Sequence, residues 1–136
     1  VQQIPLTRAS DEGLIVEFDP DPPYMERMSK LIDLPAIRSA GLRVTVDSMF
    51  GAGAGYIARL IAGGSTTVEE INGYRNPAFP GMEQPEPIAH NLTTLIERIK
   101  AGGASVGLAL DGDAAPPAAL AARAASLRAA SSAAFR

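Results

Sequence analysis

The pattern of apolar and polar positions divides the chain into alternating strands and helices. Three short apolar runs bounded by turn residues predict buried strands over about 42–48, 66–71 and 105–110. Between them, the spacing predicts a short apolar helix that begins at Tyr56 and an amphipathic helix over 88–101. Parallel strands need crossover connections, so this order predicts an α/β fold with a small, mostly parallel sheet covered by helices.

The segments before the first strand are less regular. Residues 1–12 are polar and patternless, which predicts a linker or a disordered N-terminus. The apolar run at 13–18 is consistent with a short strand, because the prolines that follow it cannot donate ladder hydrogen bonds. A helix is expected to begin at Pro22 and to continue through Ile32 as far as Ala40.

The composition changes abruptly at Ala114. From there to Arg136 about half of the residues are alanine and none is acidic, which indicates a low-complexity tail. Alanine has the highest helix propensity, so we expect a partly frayed helix from Pro117 to Phe135. The folded domain is then expected over residues 13–113.

The overall composition argues against several classes of protein. The chain of 136 residues has a formal net charge of −3 and a pI near 5.1, which gives no reason to expect nucleic acid or an anionic membrane as a partner. With no cysteine, it has neither disulfides nor thiolate zinc sites. No apolar run approaches the roughly 20 residues that span a bilayer, and the first residues lack the apolar core of a signal peptide. We therefore expect a cytoplasmic protein.

Two carboxylates follow the third predicted strand. Asp111 and Asp113 are separated by one glycine, and alternate residues of an extended chain point the same way, so both can reach one hard cation such as Mg²⁺. Asp-Gly-Asp is also an ordinary turn sequence, and the pattern alone leaves both interpretations open. Asp47 lies near the end of the first strand, and open parallel sheets bind ligands at that edge.

Two further features have simple structural explanations. The loop from Gly51 to Gly55 follows a strand and opens a helix, a context in which backbone amides can hold a phosphate. Its spacing departs from the dinucleotide fingerprint and it lacks a P-loop lysine, so a tight turn is favoured. His90 is the only histidine, with no second His for a metal pair, and we expect it on the solvated surface.

Three longer motifs give a specific resemblance. The stretch AGLRVTVDSMFGAGAGYIARL (40–60), the loop RNPAFPGMEQPEPIAHNL (75–92) and the end VGLALDGDA (106–114) occur in order. Together they resemble the second domain of the α-D-phosphohexomutases, the phosphoglucomutase/phosphomannomutase family. The resemblance runs from about Gly13 to Ala114 and implies a three-layer α/β/α domain.

The resemblance also implies a role for the two aspartates. Family enzymes have four domains and move phosphate between C1 and C6 of a hexose, and domain two supplies a metal loop, Asp-Gly-Asp-x-Asp-Arg, that binds Mg²⁺. Asp111 and Asp113 match the first two ligands, whereas Ala115 and Pro116 stand in place of the third aspartate and the arginine. Losing one of three carboxylates predicts weak or absent Mg²⁺ binding in this chain.

From this resemblance we expect an isolated or truncated domain two that is inactive alone, because the phosphoserine and the sugar-binding and phosphate-binding loops belong to other domains. Hexose phosphate would bind only in the full enzyme. The family's final strand is expected to be missing and replaced by the alanine-rich tail. An alternative is a non-catalytic interaction module that forms a homodimer through the exposed sheet edge. A nucleotide-binding or phosphate-binding domain built on the glycine loop is a further alternative.

Overall fold

The computed structural model describes residues 3–114 and the backbone of a strand at 118–121. The chain divides into two compact units, Val1–Ile32 and Asp33–Arg136. The first unit contains two helices, α1 (Leu6–Asp11) and α2 (Asp21–Leu31). Helix α1 thus lies within the polar stretch where the sequence predicted a linker or a disordered end.

The predicted strand at 13–18 is wrong. These residues form no ladder, and the side chains of Leu14, Val16 and Phe18 are exposed. An apolar run becomes a strand only where a neighbouring segment offers backbone groups for pairing, and no segment in the described part of the chain pairs with this one.

The predicted continuous helix from Pro22 to Ala40 is also wrong, because it is divided at Ile32. This residue has extended backbone angles, φ −120° and ψ 133°. The next helix, α3 (Leu34–Ser39), begins in the second unit, where the Asp33 carboxylate accepts a hydrogen bond from the Ala36 amide at 3.0 Å. A side-chain cap of this kind specifies a new helix N-terminus.

The second unit is built on a four-stranded sheet in the order β2-β1-β3-β4. The strands are β1 (Arg43–Asp47), β2 (Thr67–Ile71), β3 (Val106–Ala109) and β4 (Ala118–Ala121). Strand β1 pairs in parallel with both β2 and β3, so that Val46 lies between Glu70 and Leu108. The three predicted strands and their parallel arrangement are therefore confirmed.

Two crossover helices cover the sheet. Helix α4 (Tyr56–Ile61) connects β1 to β2, and α5 (Thr93–Lys100) connects β2 to β3. The two crossovers run in opposite directions along the sheet, so right-handed connections place the helices on opposite faces, as the α/β/α prediction requires. Helix α5 packs on β1 and β3 through a core of Met49, Leu92, Leu95, Ile99, Ala104 and Ala109. No helix in the described part of the chain is long and apolar enough to cross a membrane.

The alanine-rich segment contributes a strand to the sheet. Ala118–Ala121 pairs antiparallel with β3, with Ala118 opposite Ala109 and Ala121 opposite Val106. The predicted loss of the final strand is wrong, and so is the helix predicted for these residues. Hydrogen bonding to the otherwise unpaired backbone groups of β3 stabilises the strand more than the helix propensity of alanine would stabilise a helix. The rest of the predicted helix, 122–135, lies outside the described residues.

This strand also changes the expected sheet edge. The homodimer was predicted from an unpaired β3, and β4 now pairs with that side of β3. The physical reason offered for dimerisation at this position is therefore absent.

Candidate functional site at the acidic edge

The carboxyl ends of β1, β2 and β3 meet at one edge of the sheet, because the three strands are parallel. The chain runs outward from β1 to β2 and then back past β1 to β3, so the loops that leave β1 and β2 go to opposite faces of the sheet. Doubly wound sheets place their ligands at the edge where such loops separate. Three loops meet here, over 48–55, 76–87 and 111–114. We call their meeting point the acidic edge.

The acidic turn Asp111–Gly112–Asp113 follows β3 directly. Asp111 is half-buried and Asp113 is exposed. The Ala114 amide donates to the Asp111 carbonyl at 2.8 Å and closes the turn, with Ala114 at φ +63°. The Asp111 carboxylate accepts from the Gly112 amide at 2.6 Å, so one of its oxygens is already engaged by its own backbone.

Gly112 is enclosed by the other two loops. Its amide donates to the Pro85 carbonyl at 2.8 Å, and its carbonyl accepts from the Ala52 amide at 3.0 Å. A Cβ on Gly112 would lie 2.7 Å from Pro85 Cγ, and a Cβ on Gly51 would lie 2.4 Å from the Gly112 carbonyl oxygen. Gly51 is needed because the Gly112 backbone approaches it too closely for a side chain, and Gly112 is needed because the Pro85 ring fills the space of its Cβ.

The glycine-rich loop is filled by an internal carboxylate. Glu70 on β2 accepts hydrogen bonds from the Gly55 amide, at 2.8 Å, and from the Ser48 hydroxyl. Helix α4 begins directly after Gly55, so this carboxylate lies where an anion would meet a helix N-terminus. The contact supports the tight-turn interpretation and uses the amide that a phosphate would need.

Asp47 is a fully buried carboxyl group at the end of β1. Its Oδ1 accepts from the Met49 amide at 3.0 Å and from Asn72 Nδ2 at 2.9 Å, and its Oδ2 has no partner in the described part of the molecule. Burial raises the pKa of Asp47, and the two hydrogen bonds oppose that rise. The Asp47 carbonyl accepts from the Leu110 amide at 2.8 Å, so Asp47 and the acidic turn do share one edge, as predicted.

The residues present do not fit a magnesium site of three carboxylates. Within 3–114 and 118–121, no group of three His, Cys, Asp or Glu side chains could hold a metal ion. The position of the expected third ligand is Ala115, which lies outside the described residues. The acidic turn thus offers two carboxylates, and Mg²⁺ would have to keep most of its water ligands.

The match to a family model decides the family. The model described as phosphoglucomutase/phosphomannomutase, alpha/beta/alpha domain II, matches residues 22–121, well over half of the chain. The chain belongs to the phosphoglucomutase/phosphomannomutase family. The match extends through β4 as well as through the acidic turn.

Individual relatives agree with the family assignment. The chain is 36% identical over 92 residues to a phosphoglucomutase/phosphomannomutase of Thermococcus kodakarensis, covering 68% of this chain and 20% of that protein. It is 31% identical over 108 residues to a probable phosphoglucosamine mutase of Methanothermobacter thermautotrophicus, covering 79% and 23%. The chain therefore spans about a fifth of the length of these curated relatives.

A solved structure shows the same fold. A crystal structure of a Thermus thermophilus protein assigned as a phosphomannomutase matches with a TM-score of 0.63 and 30% sequence identity. The match covers 73% of this chain and 23% of that chain. The fold and the family assignment therefore rest on independent comparisons.

Sequence reasoning missed two residues that build this domain II edge. Glu70 could have been suspected as a carboxylate within an apolar strand. Asn91, which contacts the loop at 76–87, gave no signal of its own. His90 is exposed, as predicted, but it precedes α5 and its carbonyl accepts from the Thr93 hydroxyl at 2.9 Å. It lines a groove of about 210 Å³ together with Asn72 and Asn91.

Proposed function

We propose that this chain acts as domain II of a phosphohexomutase and that its acidic turn faces the phosphoryl group exchanged between C1 and C6 of a hexose phosphate. One observation carries the proposal: in a chain of this family, Asp111 and Asp113 follow β3 at the switch-point edge of the sheet. Packing of the turn between two other loops supports a specified geometry for these carboxylates.

We infer further that the chain is inactive alone and binds Mg²⁺ only weakly. It spans about a fifth of its curated relatives, and the family resemblance assigns the phosphoserine and the sugar-binding and phosphate-binding loops to other domains. Two carboxylates leave most of the octahedral ligand positions of Mg²⁺ to water, so we expect binding at millimolar concentrations of the ion or higher.

The inactivity is tested by assaying conversion of glucose 1-phosphate with its bisphosphate activator and Mg²⁺. Turnover by the chain should equal that of the Asp111→Ala variant. Turnover above that control would show that the chain carries its own catalytic machinery and would overturn this part of the proposal.

The domain II role is tested by replacing the matching segment of the Thermococcus kodakarensis relative with residues 22–121 of this chain. The chimera should gain mutase activity when Ala115→Asp and Pro116→Arg are introduced together, because they restore the family's metal loop. Adding Asp113→Ala to that restored chimera is the control and should abolish the gain. A folded, restored chimera without activity would contradict the proposed role.

A further inference from the structure

We propose that Asn91 is a positioning residue for the acidic turn, acting through the proline-rich loop at 76–87. The proposal rests on the function proposed above for Asp111 and Asp113. It adds a specific claim, that the conformation of the turn depends on a side chain that touches neither aspartate.

The first step is the contact between Asn91 and the loop. The side-chain amide of Asn91 donates to the Gln84 carbonyl at 2.7 Å and to the Glu86 carbonyl at 2.9 Å. An amide NH₂ group has two protons, and these two bonds use both of them. Asn91 lies in the turn before α5, whose Leu95 and Ile99 are buried in the core, so one end of this contact is firmly anchored.

The second step is the contact between the loop and the acidic turn. The carbonyl of Pro85, between the two residues that Asn91 holds, accepts from the Gly112 amide at 2.8 Å. The Pro85 ring also fills the space that a Gly112 Cβ would need. Three successive loop carbonyls, those of Gln84, Pro85 and Glu86, are therefore each held by a donor from another part of the chain.

The third step is the chemistry of the loop itself. Around Pro85, which has no amide proton, the backbone bonds are short-range: the Glu86 amide donates to the Gln84 carbonyl at 2.9 Å, and the Ile88 amide donates to the Glu86 carbonyl at 2.8 Å. Each of these bonds spans two residues and shapes the loop locally. Asn91 adds two longer-range bonds to the same two carbonyls, from the segment before α5. Without them the Pro85 carbonyl loses part of the support that aligns it with Gly112.

The structure offers variants that separate this role from general stability. Asn91→Asp keeps the size of the side chain, but when ionised it presents only acceptor oxygens to the two loop carbonyls. Asn91→Ser shortens the side chain and removes its NH₂ group. Thr93→Ala is the matched control. It removes another side-chain bond to backbone in the same turn, from the Thr93 hydroxyl to the His90 carbonyl, without touching the loop.

The test is amide hydrogen exchange measured by NMR on the full chain. The Gly112 amide should exchange at least about tenfold faster in both Asn91 variants than in the wild type or in Thr93→Ala. The Val46 amide, at the centre of the sheet, should keep its wild-type exchange rate. Unchanged protection of Gly112 in a folded Asn91 variant overturns the proposal. An equal loss of protection at Gly112 and Val46 also overturns it, because Asn91 would then serve global stability alone.

A titration with Mn²⁺ distinguishes failure of this proposal from failure of the proposed function. Paramagnetic broadening of the Asp111 and Asp113 amides should occur at a lower Mn²⁺ concentration in the wild type than in Asn91→Asp. If the wild type shows no broadening there, the weak metal site of the proposed function is wrong. The exchange rate of Gly112 still decides the role of Asn91 in that case.

Discussion

Replacing Gly51 with alanine should disturb the acidic edge at its tightest point. The added Cβ would lie 2.4 Å from the carbonyl oxygen of Gly112 and 2.7 Å from its Cα. Both of these atoms belong to the backbone, so no side-chain rotation can relieve the overlap. Either the loop at 48–55 or the acidic turn must move, and the bond from the Ala52 amide to the Gly112 carbonyl would be strained.

The expected cost follows from this geometry. Overpacking in folded proteins typically costs about 1–3 kcal/mol, and contacts with backbone atoms belong at the upper end, so we expect Gly51→Ala to lower the free energy of unfolding by about 2–3 kcal/mol. Gly51 does not have a positive φ, so left-handed backbone strain adds nothing to this figure.

Two other glycines separate the steric effect from the conformational one. A Cβ on Gly103 would lie 3.3 Å from the Arg98 carbonyl oxygen, a tight contact that a shift of a few tenths of an ångström relieves, so Gly103→Ala should lower the free energy of unfolding by about 1 kcal/mol or less. Gly55 has open space around it but lies at φ +82°, so Gly55→Ala should cost about 1–2 kcal/mol through backbone strain alone.

The assay is urea denaturation followed by circular dichroism, with the free energy of unfolding taken by linear extrapolation. An NMR spectrum of each variant reports whether the Gly112 amide shifts. The reasoning is refuted if Gly51→Ala behaves like Gly103→Ala, with a loss of about 1 kcal/mol or less and no shift at Gly112.

Three further predictions concern carboxylates at the acidic edge. Glu70→Gln should cost about 1 kcal/mol, because bonds to a charged acceptor are stronger than those to a neutral one. Glu69→Gln, which breaks an exposed ion pair with Arg98, should cost less than about 0.5 kcal/mol in the same urea assay, and equal losses would contradict the role of Glu70. Because the pKa of Asp47 is raised in the folded state, the native protein holds the Asp47 proton more tightly than the unfolded chain does. The stability that this proton contributes is present at low pH and is lost as pH rises from about 4 through the folded pKa. Urea midpoints at pH 4 to 7 should therefore fall in the wild type relative to Asp47→Asn, and a constant difference would refute this. Ala115→Asp adds a carboxylate, and its attraction to a divalent ion about 4 Å away in water is about 2 kcal/mol. The Mg²⁺ affinity measured by calorimetry should therefore rise roughly 30-fold. An unchanged affinity would refute the assignment of position 115 to the third ligand.

The sequence by itself determined the central sheet, the alternation of strands and helices, and the family. The runs around Val44, Val68 and Val106 combine branched apolar residues with flanking turn signals, and such signals depend on neighbours close in the chain. The Asp-Gly-Asp turn was found for the same reason, since its residues are consecutive. Placing it with Asp47 at one edge followed from the parallel order of the strands.

Only the tertiary structure decided which backbone groups remained to be paired. Ala118–Ala121 forms a strand because β3 would otherwise have an unpaired edge, whereas the more apolar residues 13–18 form none because no described segment pairs with them. The carboxylate of Glu70 fills the glycine loop, and Gly51 meets Gly112, across loops that are distant in sequence. Hydrophobic periodicity reports which face of an element is buried, but it carries no information about such close approaches between distant segments.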